Sequence, residues 1–206
     1  MEISASLNPA AVAGNIREYV MWLNKFVGTP NFSVHVDVMR RSFVDNDSLT
    51  LNEFTWIMGN CKLPMDVHLM VDSIDVTQFI VAGKSARSIT THIEIGNTKT
   101  LGLAIDLPTI MSPKRLDELR SANVVTVMSV KAGASGQTPN MKKALDRVKK
   151  IKTSTNRIII DGGVNPDNIQ SLKRVGVQTA VVGAALYNAP NREETLKKLL
   201  ALASNS

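Results

Sequence analysis

A chain of 206 residues with 44% hydrophobic and 20% charged residues can bury one substantial core, and its composition excludes disordered and fibrous classes. No apolar run reaches the ~18 residues of a membrane span, and Met1-Glu2-Ile3-Ser4 lacks the basic stretch of a secretion signal. The single cysteine, Cys61, cannot form an internal disulfide, so a reducing, cytoplasmic setting is expected.

The formal net charge of +6 raises nucleic acid as a partner. The basic residues, however, gather at Lys142, Lys143, Arg147, Lys149, Lys150 and Lys152, interleaved with Met141, Leu145, Val148 and Ile151. That spacing describes an amphipathic helix with a solvated outer face. Aromatic residues make up 4% of the chain, too few for base stacking. The expected partners therefore include neither nucleic acid nor membrane, while the positive charge would favour an anionic substrate.

In chain order, apolar runs of strand length alternate with amphipathic runs of helix length. Strands are predicted at Ile3–Leu7, Phe32–Met39, Met65–Val71, Ser88–Glu94, Leu101–Asp106, Val124–Val130, Arg157–Ile160 and Thr179–Val182. Helices are predicted at Ala11–Lys25, Leu51–Gly59, Asp75–Ala82, Pro113–Ala122, Pro139–Lys152, Pro166–Val175 and Arg192–Ala203. Ser112 before Pro113 is a plausible N-cap, and Gly176 would end the helix before it. Eight alternating strands imply a parallel sheet, and no Gly-rich dinucleotide turn follows the first strand. The expected fold is α/β, a single-domain (β/α)₈ barrel spanning residues 1–206.

One connection is short. Only Ile95 to Thr100 separate Glu94 from Leu101, whereas a crossover with its helix takes at least ~10–12 residues. At ~3.3–3.6 Å per extended residue these six residues reach roughly 20 Å, enough for a strap but not also a helix. The fourth helix is predicted to be missing.

Strand alternation puts His35, Asp37 and Met39 on one face, and Asp66, His68 and Met70 on another. Asp161 ends the seventh strand. Active sites of such barrels lie at the C-terminal ends of the strands, where His35, Asp37, His68 and Asp161 all fall. Two imidazoles and two carboxylates there would suit one divalent ion. Asp66 lies two residues deeper than His68, which suits a role supporting the ligands from behind or a purely structural one. Met39, Met70 and Met128 are either ordinary core residues or an apolar, polarisable collar above the site. Gly133-Ala134-Ser135-Gly136, Gly162-Gly163 and Gly183-Ala184 follow late strands, where backbone N–H groups can approach a phosphate closely.

With these residues in place the sequence resembles the ribulose-phosphate 3-epimerase family. The matching stretches run from Ile3-Ser4-Ala5-Ser6-Leu7 through His35-Val36-Asp37-Val38-Met39 and Asp66-Val67-His68-Leu69-Met70-Val71. They continue with Gly102-Leu103-Ala104-Ile105, Val127-Met128-Ser129-Val130, Gly136-Gln137, Asp161-Gly162-Gly163-Val164 and Val182-Gly183-Ala184. The resemblance implies one divalent metal on His35, Asp37, His68 and Asp161: zinc, with iron or manganese as alternatives. It implies Asp37 and Asp161 as opposed acid/base groups, and Ser6 and His68 in contact with the sugar phosphate. The glycine turns at 133–136, 162–163 and 183–184 would hold phosphate and substrate, and the chain would be a homo-oligomer.

The implied reaction is epimerisation at C3 of a ketose phosphate, D-ribulose 5-phosphate to D-xylulose 5-phosphate, in the pentose phosphate pathway. Inversion beside a ketone needs a proton removed from one face and one returned to the other, hence two carboxylates. The alternatives are a six-carbon ketose phosphate such as D-allulose 6-phosphate, or a non-catalytic barrel. Three features depart from the family pattern: Arg40-Arg41 in place of Asp-Gly, the loop Lys131 to Gln137 without its aromatic residue, and the short strap.

Overall fold

The computed structural model describes residues 1–95, 102–133 and 137–204. The apolar runs become eight parallel strands, β1 (Glu2–Ser6), β2 (Phe32–Met39), β3 (Met65–Met70), β4 (Ser88–His92), β5 (Gly102–Ile105), β6 (Val124–Met128), β7 (Arg157–Asp161) and β8 (Thr179–Val182). They pair in sequence order, and β8 returns to β1 to close a barrel. β2 and β3 are buried along their whole length, as parallel strands between helices and barrel interior must be. Val34, Val36 and Val38 join the large apolar core, while His35, Asp37 and Met39 alternate with them.

The helices are α1 (Asn8–Val12), α2 (Ile16–Leu23), α3 (Leu51–Asn60), α4 (Val76–Ala82), α5 (Pro113–Ser121), α6 (Met141–Ile151), α7 (Ile169–Arg174), α8 (Ala184–Tyr187) and α9 (Arg192–Ser204). Their ends follow the capping signals. The Ser112 hydroxyl accepts from the Arg115 amide with Pro113 at the first turn, and Thr50 and Glu53 form a reciprocal box at α3. The long first helix expected from Ala11 to Lys25 is instead two, parted at Gly14, which adopts a φ of +72°. α8 has four residues, too few to show a helical period, and was not foreseen.

β4 stops at His92, and Ile93–Ile95 turn as a 3₁₀ helix. Residues 96–101, most of the expected strap, lie outside the described residues. The described part of the connection holds no α-helix. β4 is in register with β3 (Val67↔Ile89) and with β5 (Thr91↔Leu103), so the short connection leaves the barrel closed.

Arg147 corrects the expectation for α6. Lys142, Lys143, Lys149, Lys150 and Lys152 are exposed, but Arg147 is only 5% exposed. Its guanidinium donates to the carbonyls of Asp106 (2.6 Å) and Thr109 (2.5 Å), satisfying a loop that has no ladder partners. At the floor of the barrel, Asp66 accepts from Arg87, Arg157 and Ser88, and Glu2 pairs with Arg87, a structural role for Asp66 as its depth suggested. No helix among the described residues is long and apolar enough to cross a membrane.

Candidate active site

Parallel register brings the polar side chains of separate strands to one level. Asp37 lies opposite His68, Met39 opposite Met70, and Met128 opposite Asp161. His35 and Asp37 come two residues apart from β2, so both face the interior. One ligand atom from each of His35, Asp37, His68 and Asp161 lies within 4.8 Å of the other three, and this buried cluster could hold a divalent ion. His35 Nε2 and His68 Nδ1 approach Asp37 Oδ1 to 3.2 and 3.3 Å, and His68 Nδ1 stands 3.8 Å from Asp161 Oδ2.

The donor set fits a metal on its own chemistry. Both His35 nitrogens, His68 Nδ1 and Asp37 Oδ1 are buried without a hydrogen-bond partner, because their angles do not suit one despite the short separations. Orphaned buried polar atoms are costly, and three of these, one His35 nitrogen, His68 Nδ1 and Asp37 Oδ1, lie close enough to share one partner. Mixed imidazole and carboxylate donors suit zinc, iron or manganese.

The electrostatics are those of an ionised Asp37 against imidazoles. Burial alone would raise the pKa of Asp37, yet the charge and contacts of His35 and His68 hold it well below the usual carboxylate range. Burial works against a charged His68, but its contacts with Asp161 and Asp37 push it up to about 9. His35 is shifted upward likewise, the charge of Asp37 outweighing burial. His92 goes the other way, held well below its ordinary value by burial and by His68 beside it.

Above the cluster opens a cavity of about 260 Å³. Asp37 and Asp161 both line it, whereas His35 and His68 do not. The two carboxylates thus present themselves to whatever binds, with the imidazoles behind them. Met39, Met70 and Met128 line the same cavity and form a small apolar cluster with Ala132, Phe43, Val44 and Val130. The collar and core interpretations of these methionines therefore hold together: they are buried and they face the cavity.

Ser6 lines the cavity and donates its hydroxyl to Asp37 Oδ2 at 3.3 Å, while accepting from the Asn8 amide. Gly162, Gly163, Gly183 and Ala184 also line the cavity, joined by Asn8, Asn165 and Gln137. At Gly163 (φ +61°) an added Cβ would fall 2.4 Å from Pro139, so only glycine lets that loop lie flat against its neighbour. Gly133 is not among the cavity's lining residues; it backs against Val44, and Ala134, Ser135 and Gly136 lie outside the described residues. Arg40 turns away from the cavity to stack over Phe79, and Arg41 pairs with Asp47 in solvent. Neither departure touches the cluster.

Strand alternation puts His92 and Glu94 on the inward face of the predicted fourth strand, in supporting positions behind the ligands, but names no partner for either. His92 is 1% exposed, and its Nε2 lies 3.0 Å from His68 Nε2. Inward alternation on β4 was its only signal, and the pairing with His68 depends on the β3–β4 register.

Comparison with known proteins agrees with this geometry. The profile of the Ribulose-phosphate 3 epimerase family matches residues 2–187. The chain is 31% identical over 189 residues to the ribulose-phosphate 3-epimerase of Aquifex aeolicus, covering 82% of this chain and 83% of that one. It is 30% identical over 188 residues to ribulose-phosphate 3-epimerase 1 of Cupriavidus necator, covering 81% and 78%. Among solved structures, orotidine 5'-phosphate decarboxylase from Pyrococcus horikoshii superposes with a TM-score of 0.66 at 13% identity, covering 99% of this chain and 100% of that one, a likeness of fold alone.

Proposed function

The chain belongs to the ribulose-phosphate 3-epimerase family, an isomerase acting on carbohydrates, and on that premise we propose that it interconverts D-ribulose 5-phosphate and D-xylulose 5-phosphate by inversion at C3. The observation that carries this is the pair of carboxylates, Asp37 and Asp161, reaching one cavity from strands β2 and β7. Binding alone needs no such pair; inversion does, one group to take the C3 proton from one face and one to supply a proton to the other.

His35, Asp37, His68 and Asp161 would hold one divalent ion, for which we propose zinc. When bound, that ion would offset the negative charge that develops as the ketose becomes an enediolate. Ser6, held by the Asn8 amide, keeps Asp37 in place while its proton moves. The methionine collar excludes water from the carbanion face and offers no competing oxygen ligand. Gly162-Gly163 and Gly183-Ala184 lie where the phosphate would rest on backbone N–H groups.

The test is a coupled assay with D-ribulose 5-phosphate and, in parallel, D-allulose 6-phosphate. Turnover of the pentose is expected to dominate; dominance of the hexose would move the substrate but keep the chemistry. Asp37→Asn and Asp161→Asn should each lower kcat by at least ~10²–10⁴-fold. A single variant that still exchanges the C3 hydrogen with solvent deuterium without inverting it would identify the face each aspartate serves. Near-normal turnover by either variant would refute its role.

A further inference from the structure

Behind the metal-binding cluster, two imidazoles meet. The His68 and His92 ring planes lie within 18° of parallel with centroids 5.0 Å apart, and their Nε2 atoms meet at a hydrogen-bonding 3.0 Å. The rings therefore touch through their nitrogen edges, in the plane where lone pair and N–H both lie. Two lone pairs at that separation would repel and two N–H groups would collide, so one proton sits between them. We infer that His92 is a positioning residue: it accepts the His68 Nε2–H and so presents the bare His68 Nδ1 to the metal, its own proton being carried on Nδ1. This rests on the proposed metal site, because His68 Nδ1 is the atom turned toward Asp37 and Asp161.

The surroundings of His92 support that arrangement. Its Nδ1 faces Glu94 Oε2 at 3.9 Å, an acceptor on the side where the proton must then lie. Glu94 is itself fixed by the Thr109 hydroxyl at 3.0 Å. Phe43 covers the His92 ring, with centroids 4.9 Å apart, and shields the pair from solvent. The partner of a ligating histidine fixes both tautomer and ring angle, and its loss typically weakens metal binding by about 10–100-fold.

Two measurements on the zinc-loaded full chain test this. Long-range ¹H–¹⁵N spectra of the unmodified protein should show His92 as the Nδ1–H tautomer, the less common one for free imidazole, and His68 with its proton on Nε2. Zinc titrations against a chromophoric chelator should show His92→Phe binding about 10–100-fold more weakly and His92→Gln, which retains an acceptor, recovering part of the loss. An Nε2–H tautomer at His92, or equal zinc affinity in all three proteins, would overturn the inference while leaving the metal site standing. Absence of zinc binding by the unmodified protein would overturn both. The spectra need no variant, so misfolding of His92→Phe does not shelter the inference.

Discussion

Asp37 and Asp161 are chemically alike but differently placed. The Asp37 side chain is 5% exposed and wedged among His35, His68 and Ser6, while that of Asp161 is 14% exposed at the rim. Both carry buried partners that no internal hydrogen bond satisfies, so an added ion should stabilise the fold strongly. Zinc at a hundred times its dissociation constant should contribute about 2.7 kcal/mol and raise Tm by roughly 5–10 °C, read by differential scanning fluorimetry before and after chelation. The double variant His35→Ala/His68→Ala should show no such shift and no stoichiometric zinc; retention of one ion per chain would refute the ligand set. These residues were legible because a period of two assigns a face to every strand residue. His92 as a partner of His68 was not, since its meaning lies in the register between neighbouring strands. Arg147 was misplaced for a related reason: in a run of lysines, nothing local distinguishes the cation that finds carbonyls from those that find water.

At the scale of elements, the loops above the barrel are held by a few long-range contacts. Val44 lies against Gly133, whose φ of +90° and missing Cβ permit the approach, and Asp45 pairs with Lys131 at 3.0 Å. The loop after β5 hangs from Arg147, and through Thr109 it steadies Glu94. Arg147→Met keeps the apolar stem and removes both donors, leaving the Thr109 carbonyl unmet and that of Asp106 with the Thr109 amide alone. It should destabilise by about 1–3 kcal/mol in urea unfolding, with a larger loss of kcat/KM than Lys150→Met on the same helix. Equal effects of the two substitutions would refute the proposed support. The eight strands and seven of the helices were visible in the hydrophobic period; the break at Gly14 and the four-residue α8 were not. A single turn of helix carries no period, and one glycine inside an amphipathic run reads as tolerated until its φ is known.

For the whole molecule, the ionic floor ties four strands together at the end opposite the site. Asp66 is buried, which would raise its pKa, yet the guanidinium groups of Arg87 and Arg157 hold it at about 2 against an ordinary 3.8. A depressed carboxylate stabilises the fold fully above its unfolded value and loses that contribution as pH falls through the folded one. Asp66 should therefore contribute about 2 kcal/mol at neutral pH, lost between about pH 4 and pH 2. Asp66→Asn should unfold at lower urea at pH 7 and show a flatter stability profile across that acid window. A variant as acid-sensitive as the parent would assign the loss to other carboxylates.

The seam where β1 meets β8 has a consequence for biosynthesis. β1 leaves the ribosome long before β8, yet one of its edges is completed only by Thr179–Val182 and its outer face by α9. At ~5–20 residues per second, that edge stays open for roughly ten to forty seconds of translation. An unpaired strand edge is a template for association with other chains. Glu2, the first residue of β1, is the kind of charged residue that blunts such an edge, so it serves the nascent polypeptide before Arg87 exists to pair with it. A barrel closed by its last strand thus spends most of its synthesis as an incomplete sheet, and its yield in a cell depends on how well that interval is guarded.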